Sequence, residues 1–539
     1  MVAMRRLGLN GGAVRAASRW APSRVSLSQP PVSLVLVTST APRLRFAPSP
    51  TGFFHVGGAR TALFNWLVAQ RTGGALVLRI EDTDAERNRD EWTIGIQKAM
   101  HWIGIEWTEG PYFQSQRIDL YAAAAHRLFN DGRVYFCDCK ADDVRARNLE
   151  AFGKTGADRG YDNHCRDRAL DAGPGRALRF RSPDEGSTVV VDLIRGEPTF
   201  ENALIEDFVI QRGNGSAMFL LANVVDDIDM RISHVVRAEE HLPNTPKAVM
   251  LWRALAPDVP LPVFAHVPVI VNEQRKKLSK RRDRVAVEDY ELMGVLPEAM
   301  RNYLCLLGWS ATDDREMLSV QTMIDEFRLE DVNLSPAFFD IVKLAAFNGE
   351  YIRALPVEEF IGRFETWFDA LAQVREPWEA FGMVDLPADR IGEGRQQPPK
   401  LPFPKSAYDP LRFAKVAPLV QERARLLSDI PPLLDFLFLA EVPFDQPSWD
   451  KTMTGPSAAQ MLDGFLALGT DVPWTADDLK GAVERLGEVN GLKLGKAQAP
   501  IRVAVMGRTV GLPLFEALEQ LGRPETLRRV GEASAKVVT

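Results

Sequence analysis

Two short segments of the chain carry side chains suited to phosphate chemistry. The first is His55-Val-Gly57-Gly58, which places a histidine and two glycines where a predicted strand gives way to a predicted helix. Backbone N–H groups and the dipole at the start of a helix bind phosphate, and glycines let the chain approach a nucleotide closely. A histidine there can donate a hydrogen bond to phosphoryl oxygens as their charge increases. Taken alone, the motif also fits a tight turn with a surface histidine.

The second segment is strongly basic. Residues 275–284 contain seven lysines and arginines and one acid, Asp283. Such a run is typical of a solvated surface. Combined with the His55 motif, it predicts a loop in which Lys277 and Lys280 neutralise the β- and γ-phosphates of ATP as pyrophosphate leaves.

Three of the four cysteines, Cys137, Cys139 and Cys165, lie close together in the sequence. Four cysteines are too few for a secreted disulfide framework, so a metal site in a reducing compartment is the better interpretation. With Tyr161 or His164 as the fourth ligand, the three thiolates predict a tetrahedral zinc site. The alternative is that the cysteines are reduced and bind no metal.

The hydrophobic pattern predicts the elements that position these groups. A strand at 44–47 is followed by a helix from Ala59 to the glycines at 73–74 and by a strand at 75–80. This βαβ unit indicates a parallel sheet of Rossmann type.

The rest of the chain divides into an insertion and a helical region. The turn-rich segment 116–221, which contains the cysteine cluster, interrupts the sheet and predicts an inserted domain. After about residue 290 the pattern is helical, and Cys305 is expected in the core of that region. A Pro-rich tract at 387–410 is predicted to be an exposed loop or linker.

The composition is that of an ordinary folded protein, with 539 residues, 46 % apolar residues, 65 Lys+Arg and 72 Asp+Glu. It excludes a disordered or collagen-like chain, and the length predicts roughly three or four domains. The net charge of −7 argues at first against nucleic acid, yet binding RNA requires only a local positive track such as 275–284. No apolar run approaches the roughly 20 residues of a membrane helix, so no membrane partner is expected.

The N-terminal segment has an unusual composition. No acidic residue precedes Glu81, and residues 1–42 are rich in Arg, Ser and Ala. This fits a mitochondrial transit peptide, and it also fits an over-called start, with the true N-terminus near Val37. We therefore expect a cytoplasmic protein, with the mitochondrion as the alternative if the leader is a genuine transit peptide.

The two phosphate-directed segments resemble the HIGH and KMSKS motifs of class I aminoacyl-tRNA synthetases. Residues 45–58, 78–84, 223–227 and 234–241 are similar to bacterial-type glutamyl-tRNA synthetases, and the similarity extends almost to the end of the chain. The resemblance implies an α/β fold, with a class I Rossmann-type catalytic core, a tRNA acceptor-binding insertion and an all-α anticodon-binding region.

The resemblance also implies the domain boundaries. They are a leader at 1–42, the first half of the catalytic domain at 43–115, the insertion with its zinc site at 116–221, the second half of the catalytic domain at 222–272, a connecting domain with the KMSKS-like loop at 273–355, and a helical anticodon-binding domain at 356–539.

The activity that the resemblance implies is ATP-dependent formation of glutamyl-adenylate and its transfer to tRNA(Glu), with Mg²⁺ accompanying ATP and a structural Zn²⁺. The implied catalytic residues are His55, Lys277 and Lys280. The implied ATP-binding residues are Gly57, Gly58, Glu240, His241, Lys277, Ser279 and Lys280. The implied glutamate-binding residues are Arg45, Ala47, Ser49, Glu81, Phe219, Asn223 and Arg237. The implied zinc ligands are Cys137, Cys139, Tyr161 and Cys165.

Glutamate has two carboxylates and one ammonium, so its pocket requires two cationic groups and an anion. Arg45 and Arg237 match the family's arginines, and Glu81 matches the acid that meets the ammonium. Where the family has Pro-Thr-Tyr, this chain has Ala-Met-Phe219, so Phe219 is expected to pack in the pocket without a polar role. His241 is expected to stack against adenine.

Three other functions fit parts of the sequence. A glutaminyl enzyme carries a β-barrel anticodon domain, which the helical pattern after residue 350 disfavours. A tRNA-modifying paralogue is shorter and lacks that domain. An RNA-binding protein with an inactive site is disfavoured by the intact His55, Lys277 and Lys280. We expect a monomer, and the sequence leaves open which arginine holds the side-chain carboxylate and whether tRNA(Gln) is also charged.

Overall fold

A computed structural model describes residues 41–83, 88–156, 159–278, 285–380, 399, 401–468 and 472–537. Most of the predicted leader, Ser279 and Lys280 of the basic segment, and the first part of the Pro-rich tract lie outside the described residues.

The catalytic half is built on a five-stranded parallel sheet. Its strands are β1 Arg43–Phe46, β2 Ala75–Ile80, β3 Glu109–Phe113, β9 His234–Ala238 and β10 Val263–Val267. They lie in the order β10-β9-β1-β2-β3, so the chain leaves β1 in one direction along the sheet and returns on its other side. The predicted Rossmann-type sheet is confirmed.

Helix α1, Val56–Thr72, connects β1 to β2, and helix α2, Asp90–Trp102, connects β2 to β3. The start of α1 is three residues earlier than predicted, because His55 caps the helix. Its side chain accepts a hydrogen bond from the backbone N of Gly58 at 3.0 Å. The helix ends at Gly73, whose φ of 62° is left-handed and favours glycine.

The segment between β3 and β9 forms a separate layer with antiparallel pairing. Its elements are α3 Ile118–Asn130, β4 Val134–Cys137, α4 Ala141–Phe152, β5 Ala177–Phe180, β6 Ser187–Val189, β7 Thr199–Glu201, β8 Phe208–Gln211 and α5 Phe219–Asp229. Strands β4, β5 and β8 form one sheet, and β6 pairs with β7. The turn after β6 lies against β10, where the N–H of Leu193 donates to the carbonyl of Phe264 at 2.8 Å.

The last two strands of the sheet are followed by mainly helical elements. These elements are α6 Thr245–Leu255, β11 Ile270–Val271, α7 Val287–Leu292, α8 Pro297–Leu306, α9 Val320–Glu326, β12 Ala337–Phe338 and α10 Ile341–Ala354. Strands β11 and β12 form a short parallel pair. Cys305 is fully buried in α8, as the apolar pattern predicts.

The C-terminal region is helical throughout its described part, which confirms the all-α prediction. Its helices are α11 Val357–Ala380, α12 Pro410–Gln421, α13 Ile430–Phe438, α14 Gln446–Met453, α15 Pro456–Ala467, α16 Ala476–Val489, α17 Leu494–Met506, α18 Leu514–Leu521 and α19 Arg523–Val537. Every described helix of the chain is too short or too polar to span a membrane.

The described end of the Pro-rich tract differs from its prediction as an exposed linker. Phe403 is only 2 % exposed, and the ring of Tyr408 lies 5.3 Å from Phe368 and 5.5 Å from Phe438. The prolines of the tract predict an exposed linker. Its aromatic side chains differ from that prediction because they bury apolar surface against the neighbouring helices. Phe403 and Tyr408 therefore pack against the helical core, while residues 404–406 between them are exposed, as predicted.

Candidate active site

The cavity of the catalytic half lies beyond the carboxyl end of β1, where the strand order reverses. Open parallel sheets bind ligands at this kind of position. The cavity has a volume of about 580 Å³. It is lined by every described residue that the sequence predicts for ATP or glutamate, namely Arg45, Ala47, Ser49, His55, Gly57, Gly58, Glu81, Phe219, Asn223, Arg237, Glu240, His241 and Lys277.

His55 and the two glycines form one wall of this cavity. Because Nδ1 of His55 accepts the hydrogen bond from Gly58, the neutral ring carries its proton on Nε2. A Cβ atom at Gly57 would lie 3.1 Å from Nδ1 of His55, and one at Gly58 would lie 3.0 Å from the ring of Phe54. Because Gly57 and Gly58 have no side chains, there is room at the helix N-terminus for the rings of His55 and Phe54.

The floor of the cavity is a buried network of charges. Arg79 on β2 is fully buried and forms ion pairs with Asp227 at 2.6 Å and with Glu81 at 3.6 Å. Asp227 also pairs with Arg45 at 3.2 Å. Burial opposes ionisation of Asp227, but Arg45 and Arg79 hold the pKa of its carboxyl below the usual value. Asp227 is therefore the common partner of two arginines from neighbouring strands.

At Glu81, in contrast to Asp227, the effect of burial on the carboxyl pKa is larger than the effect of the neighbouring arginines. Burial raises the pKa of this carboxyl to about 7, although Arg79 and Arg45 favour the ionised form. At neutral pH the group is close to its midpoint, so an additional cation in the cavity would favour its ionised form.

Arg237 is held by neutral acceptors. Its Nε donates to Nε2 of His266 at 3.2 Å, and its Nη2 donates to Oγ1 of Thr245 at 2.9 Å. Burial lowers the pKa of Arg237 to about 10, so the guanidinium stays charged at neutral pH. Within the described part of the chain, Arg237 forms no ion pair, whereas Arg45 already shares Asp227.

Arg60, which also lines the cavity, has no ion pair among the described residues either and donates to the backbone carbonyls of Leu307 and Pro268. Of the two arginines matched to glutamate, Arg237 is thus the one whose charge has no carboxylate partner in the described part of the chain.

Phe219 and His241 lie together at the cavity wall. Their ring centroids are 5.8 Å apart and their planes differ by 23°, which is a stacked arrangement. Burial lowers the pKa of His241 to about 4, so this ring is neutral. The pair offers a flat apolar surface of the kind that a purine base can contact.

Lys277 reaches the same cavity from the basic segment. Its ammonium forms an ion pair with Glu240, and the two side chains are 58 % and 48 % exposed. An exposed pair of this kind contributes little stability, so Lys277 can exchange Glu240 for a more strongly charged ligand.

The cysteine cluster is distant in sequence from the cavity residues but compact in space. The ligand atoms of Cys137, Cys139 and Cys165 all lie within 4.8 Å of one another, and Sγ of Cys139 is 3.5 Å from Sγ of Cys165. Of the two candidates for a fourth ligand, Tyr161 places its hydroxyl 3.4 Å from Sγ of Cys137, whereas His164 is exposed.

Two arginines accompany the cysteine sulfurs. Arg147 donates to Sγ of Cys139 at 3.3 Å, and Arg168 donates to Sγ of Cys165 at 3.4 Å. Cations beside sulfur favour thiolates, which are the form that binds metal. At Cys139 burial outweighs Arg147 and raises the pKa of the thiol to about 11, so a metal ion would have to displace this proton. The four cysteines are all free. A set of three thiolates and one oxygen thus fits a tetrahedral soft-metal site.

Several residues of the network were not predicted from the sequence. Arg79, Asp192, Thr245 and His266 received no role, although Arg79 and His266 stand within apolar strands, where a polar side chain signals a buried partner. Asp227 was noticed only as part of a motif. The partners of these residues lie more than a hundred positions away or on another element, and the sequence gives no distance between them.

The fold and the site together define a class I aminoacyl-tRNA synthetase. A parallel sheet carries a histidine-capped helix after its first strand, and a lysine-rich segment reaches the same cavity. The protein-family model for the catalytic domain of class I tRNA synthetases (E and Q) matches residues 42–346 of the sequence. The family model for an anticodon binding domain matches residues 387–534.

Similar proteins identify the family more closely. The glutamate–tRNA ligase of Frankia casuarinae is 55 % identical over 92 % of this chain and 98 % of its own length. That of Salinispora tropica is 55 % identical over 92 % of this chain and 100 % of its own. A crystal structure of a glutamate tRNA ligase from Elizabethkingia meningosepticum, in complex with its amino acid, has a TM-score of 0.74, 28 % identity, and coverage of 92 % of this chain and 100 % of that one. The chain belongs to the glutamate–tRNA ligase family.

Proposed function

We propose that the protein activates L-glutamate with ATP and transfers the glutamyl group to the 3′-terminal adenosine of tRNA(Glu). The observation that carries this proposal is the Arg237 guanidinium, a charged group in the cavity whose only described hydrogen-bond partners are neutral. Together with Arg45 and Glu81, it complements an amino acid that has two carboxylates and one ammonium.

We assign the side-chain carboxylate of glutamate to Arg237. Arg45 already forms an ion pair with Asp227. Its remaining N–H donors can therefore give the substrate carboxylate only a second, additional contact. Glu81 is assigned to the ammonium, because a cation beside this carboxyl favours the charged form that burial disfavours. The side chain of Asn223 donates to the backbone carbonyl of Phe219 and accepts a hydrogen bond from Arg79. It therefore links the first turn of α5 to the buried arginine of β2. Ala47 and Ser49 complete the lining.

In the first step, an oxygen of the substrate α-carboxylate attacks the α-phosphorus of ATP, and the bond from that phosphorus to the leaving pyrophosphate breaks. We assign the Nε2–H of His55, together with the positive end of the α1 helix dipole, to the phosphoryl oxygens. Lys277 and Lys280 are assigned to the charge that develops on pyrophosphate, and Gly57, Gly58, Ser279, Glu240 and His241 to ATP binding. Mg²⁺ would arrive with the ATP phosphates and partly neutralise them.

In the second step, a terminal ribose hydroxyl of tRNA attacks the activated carbonyl, and AMP leaves with the former acyl oxygen. No residue forms a covalent intermediate, so the protein contributes positioning and charge stabilisation. The match of residues 387–534 to an anticodon binding domain supports tRNA as the acceptor.

The test of this proposal is glutamate-dependent exchange of pyrophosphate into ATP, measured with and without tRNA(Glu). We expect exchange with glutamate and tRNA together, and a rate at least about 100-fold lower with glutamine, because the Arg237 charge is then left without a carboxylate. Absence of exchange with glutamate in both conditions contradicts the proposal. Charging of tRNA(Gln) transcripts in the same preparation determines whether the enzyme discriminates between the two tRNAs.

We also propose that Cys137, Cys139, Cys165 and Tyr161 hold a structural Zn²⁺. The short distances among the three thiol sulfurs and the hydroxyl of Tyr161 support this set. When bound, the metal would tie β4 to the loop that carries Tyr161 and Cys165, since the apolar cluster that joins these parts of the insertion is small.

We expect one zinc per chain, and we expect a chelator or Cys165→Ser to expose residues 137–170 to protease before the catalytic sheet unfolds. Elemental analysis and limited proteolysis measure these outcomes. Cys305→Ser is the matched control, because Cys305 is equally buried but lies in α8 outside the cluster. Protein that contains no zinc after gentle purification, or equal zinc loss in both variants, contradicts the assignment.

Location and oligomeric state stay predictions. The expected cytoplasmic location depends on the leader at 1–42, and the bacterial relatives give no support to the mitochondrial alternative. N-terminal sequencing of the purified protein measures the mature start, and sedimentation measures whether the protein is the expected monomer.

A further inference from the structure

The buried histidine behind Arg237 lies in a chain of hydrogen bonds that begins in the insertion. Asp192 and His266 are both buried, and Nδ1 of His266 is hydrogen-bonded to the carboxylate of Asp192. On the other side of the ring, Nε2 lies 3.2 Å from Nε of Arg237 and 3.0 Å from Oγ1 of Thr245. The histidine thus connects a carboxylate of the insertion to the arginine that we assign to glutamate.

Asp192 is itself held firmly in place. One carboxylate oxygen accepts the backbone N–H of Ile194 at 2.9 Å and of Arg195 at 2.8 Å. The other oxygen accepts the backbone N–H of His266 at 3.1 Å. These bonds fix the carboxylate beside the ring. Burial opposes its ionisation, but the hydrogen bond from His266 and the backbone N–H donors outweigh burial and hold the pKa of Asp192 below the usual value.

The geometry determines which tautomer His266 adopts. A carboxylate can only accept, so Nδ1 must carry the proton, and in the neutral ring Nε2 is then an acceptor. The Nε–H of Arg237 requires such an acceptor, because a guanidinium has no lone pair to offer. Burial lowers the pKa of His266, which keeps the ring neutral. A second cation beside Arg237 is thereby avoided.

We propose that Asp192 and His266 are positioning residues for glutamate: Asp192 fixes the tautomer of His266, which holds Arg237 by a neutral acceptor and leaves its charge for the substrate carboxylate. A carboxylate in place of the histidine would hold Arg237 more tightly, but it would neutralise the charge that glutamate requires. The inference rests on the proposed function, because it depends on Arg237 meeting substrate.

The experiment compares His266→Gln with His266→Leu in tRNA-dependent pyrophosphate exchange. Glutamine can place its Oε1 as an acceptor near the former Nε2, whereas leucine has similar volume and no acceptor. We expect His266→Leu to raise the KM for glutamate by roughly 10- to 100-fold, as expected for a lost hydrogen bond to a charged group. We expect His266→Gln to stay within about 5-fold, and the KM for ATP to change little in either variant.

Asp192→Asn adds an independent test. Its oxygen can keep the bonds to the turn, but its NH₂ group faces Nδ1 and favours the tautomer with a proton on Nε2, which opposes Arg237. We expect Asp192→Asn to raise the glutamate KM about as much as His266→Leu does. In the His266→Gln background, where there is no imidazole tautomer to change, we expect Asp192→Asn to add little to the glutamate KM of the single His266→Gln variant. His234→Leu, in the neighbouring strand and outside the cavity lining, is the control for a lost histidine in the same sheet.

The outcomes separate the inference from the proposed function. If the wild-type protein supports no glutamate-dependent exchange, the proposed function fails. If the wild type is active and the two His266 variants have equal glutamate KM values, the acceptor has no role and the inference fails. Calorimetric binding of glutamate to the enzyme–tRNA complex gives a second readout, and thermal unfolding identifies a variant that has not folded.

Discussion

His55→Ala is expected to slow formation of glutamyl-adenylate by at least about 100-fold, because loss of a single preorganised donor to a developing charge costs this much in other enzymes. Nδ1 of His55 accepts the N–H of Gly58, so the Nε2–H is the donor that we assign to this role. Single-turnover measurement of adenylate formation, in the presence of tRNA, isolates the chemical step. Affinity for tRNA is expected to stay near that of the wild type.

The same side chain caps α1, so the alanine variant removes two interactions at once. Loss of an N-cap typically destabilises a helix or protein by about 0.5–2 kcal/mol. His55→Ser separates the two effects, because a serine oxygen restores the cap but does not reach the phosphate. We expect the serine variant to recover stability and to remain as slow as the alanine variant. A serine variant that reacts within about 3-fold of the wild type shows that the histidine acts only as a cap, contrary to our assignment.

Glu81→Gln is expected to raise the KM for glutamate by at least about 30-fold, because truncation of one partner of a buried charge pair costs roughly 2–5 kcal/mol. The fold should tolerate this change, since Arg79 retains its ion pair with Asp227 at 2.6 Å. Glu109→Gln is the matched control. Glu109 pairs with Arg43 at 2.6 Å on the same sheet but does not line the cavity.

Glu81 also predicts a pH dependence. In the free enzyme its pKa is raised to about 7, so the carboxyl gains a proton as the pH falls below this value and loses the charge that attracts the substrate ammonium. The kcat/KM for glutamate reports ionisations of the free enzyme. It should therefore fall about tenfold per pH unit below about pH 7 and become constant above it. Glu81→Gln should flatten this acidic limb, and an unchanged limb in this variant assigns it to another group.

The parts of the molecule that could be predicted from the sequence are local. The β1-α1-β2 unit follows from two apolar runs separated by an amphipathic stretch, and the helical C-terminal region follows from its hydrophobic period. His55, Gly57 and Gly58 lie together because they are adjacent in the chain. Lys277 is expected at the same phosphates only from the chemistry of the two segments and from the resemblance, since no pattern in the sequence measures its distance from His55.

What the sequence could not predict is the set of contacts between distant charges. The bonds of Asp192 to His266, and of Arg45 and Arg79 to Asp227, depend on how the insertion and α5 return to the sheet. The choice between Arg45 and Arg237 for the substrate carboxylate stayed open for this reason. It is an ion pair with Asp227, visible only in three dimensions, that distinguishes the two arginines.

The shared carboxylate of Asp227 also has a consequence for the order in which the chain acquires its structure. Asp227 is synthesised 148 residues after Arg79 and 182 residues after Arg45. At roughly 5–20 residues per second, the ribosome needs about 7 to 30 s to pass from Arg79 to Asp227. Until then, the two arginines lack the carboxylate that they share in the folded sheet, and Glu81, 3.6 Å from Arg79, is the acid already present beside them. We therefore expect the first three strands to reach their full stability only after the insertion has emerged, so that the substrate pocket is completed after the domain that interrupts it has been made.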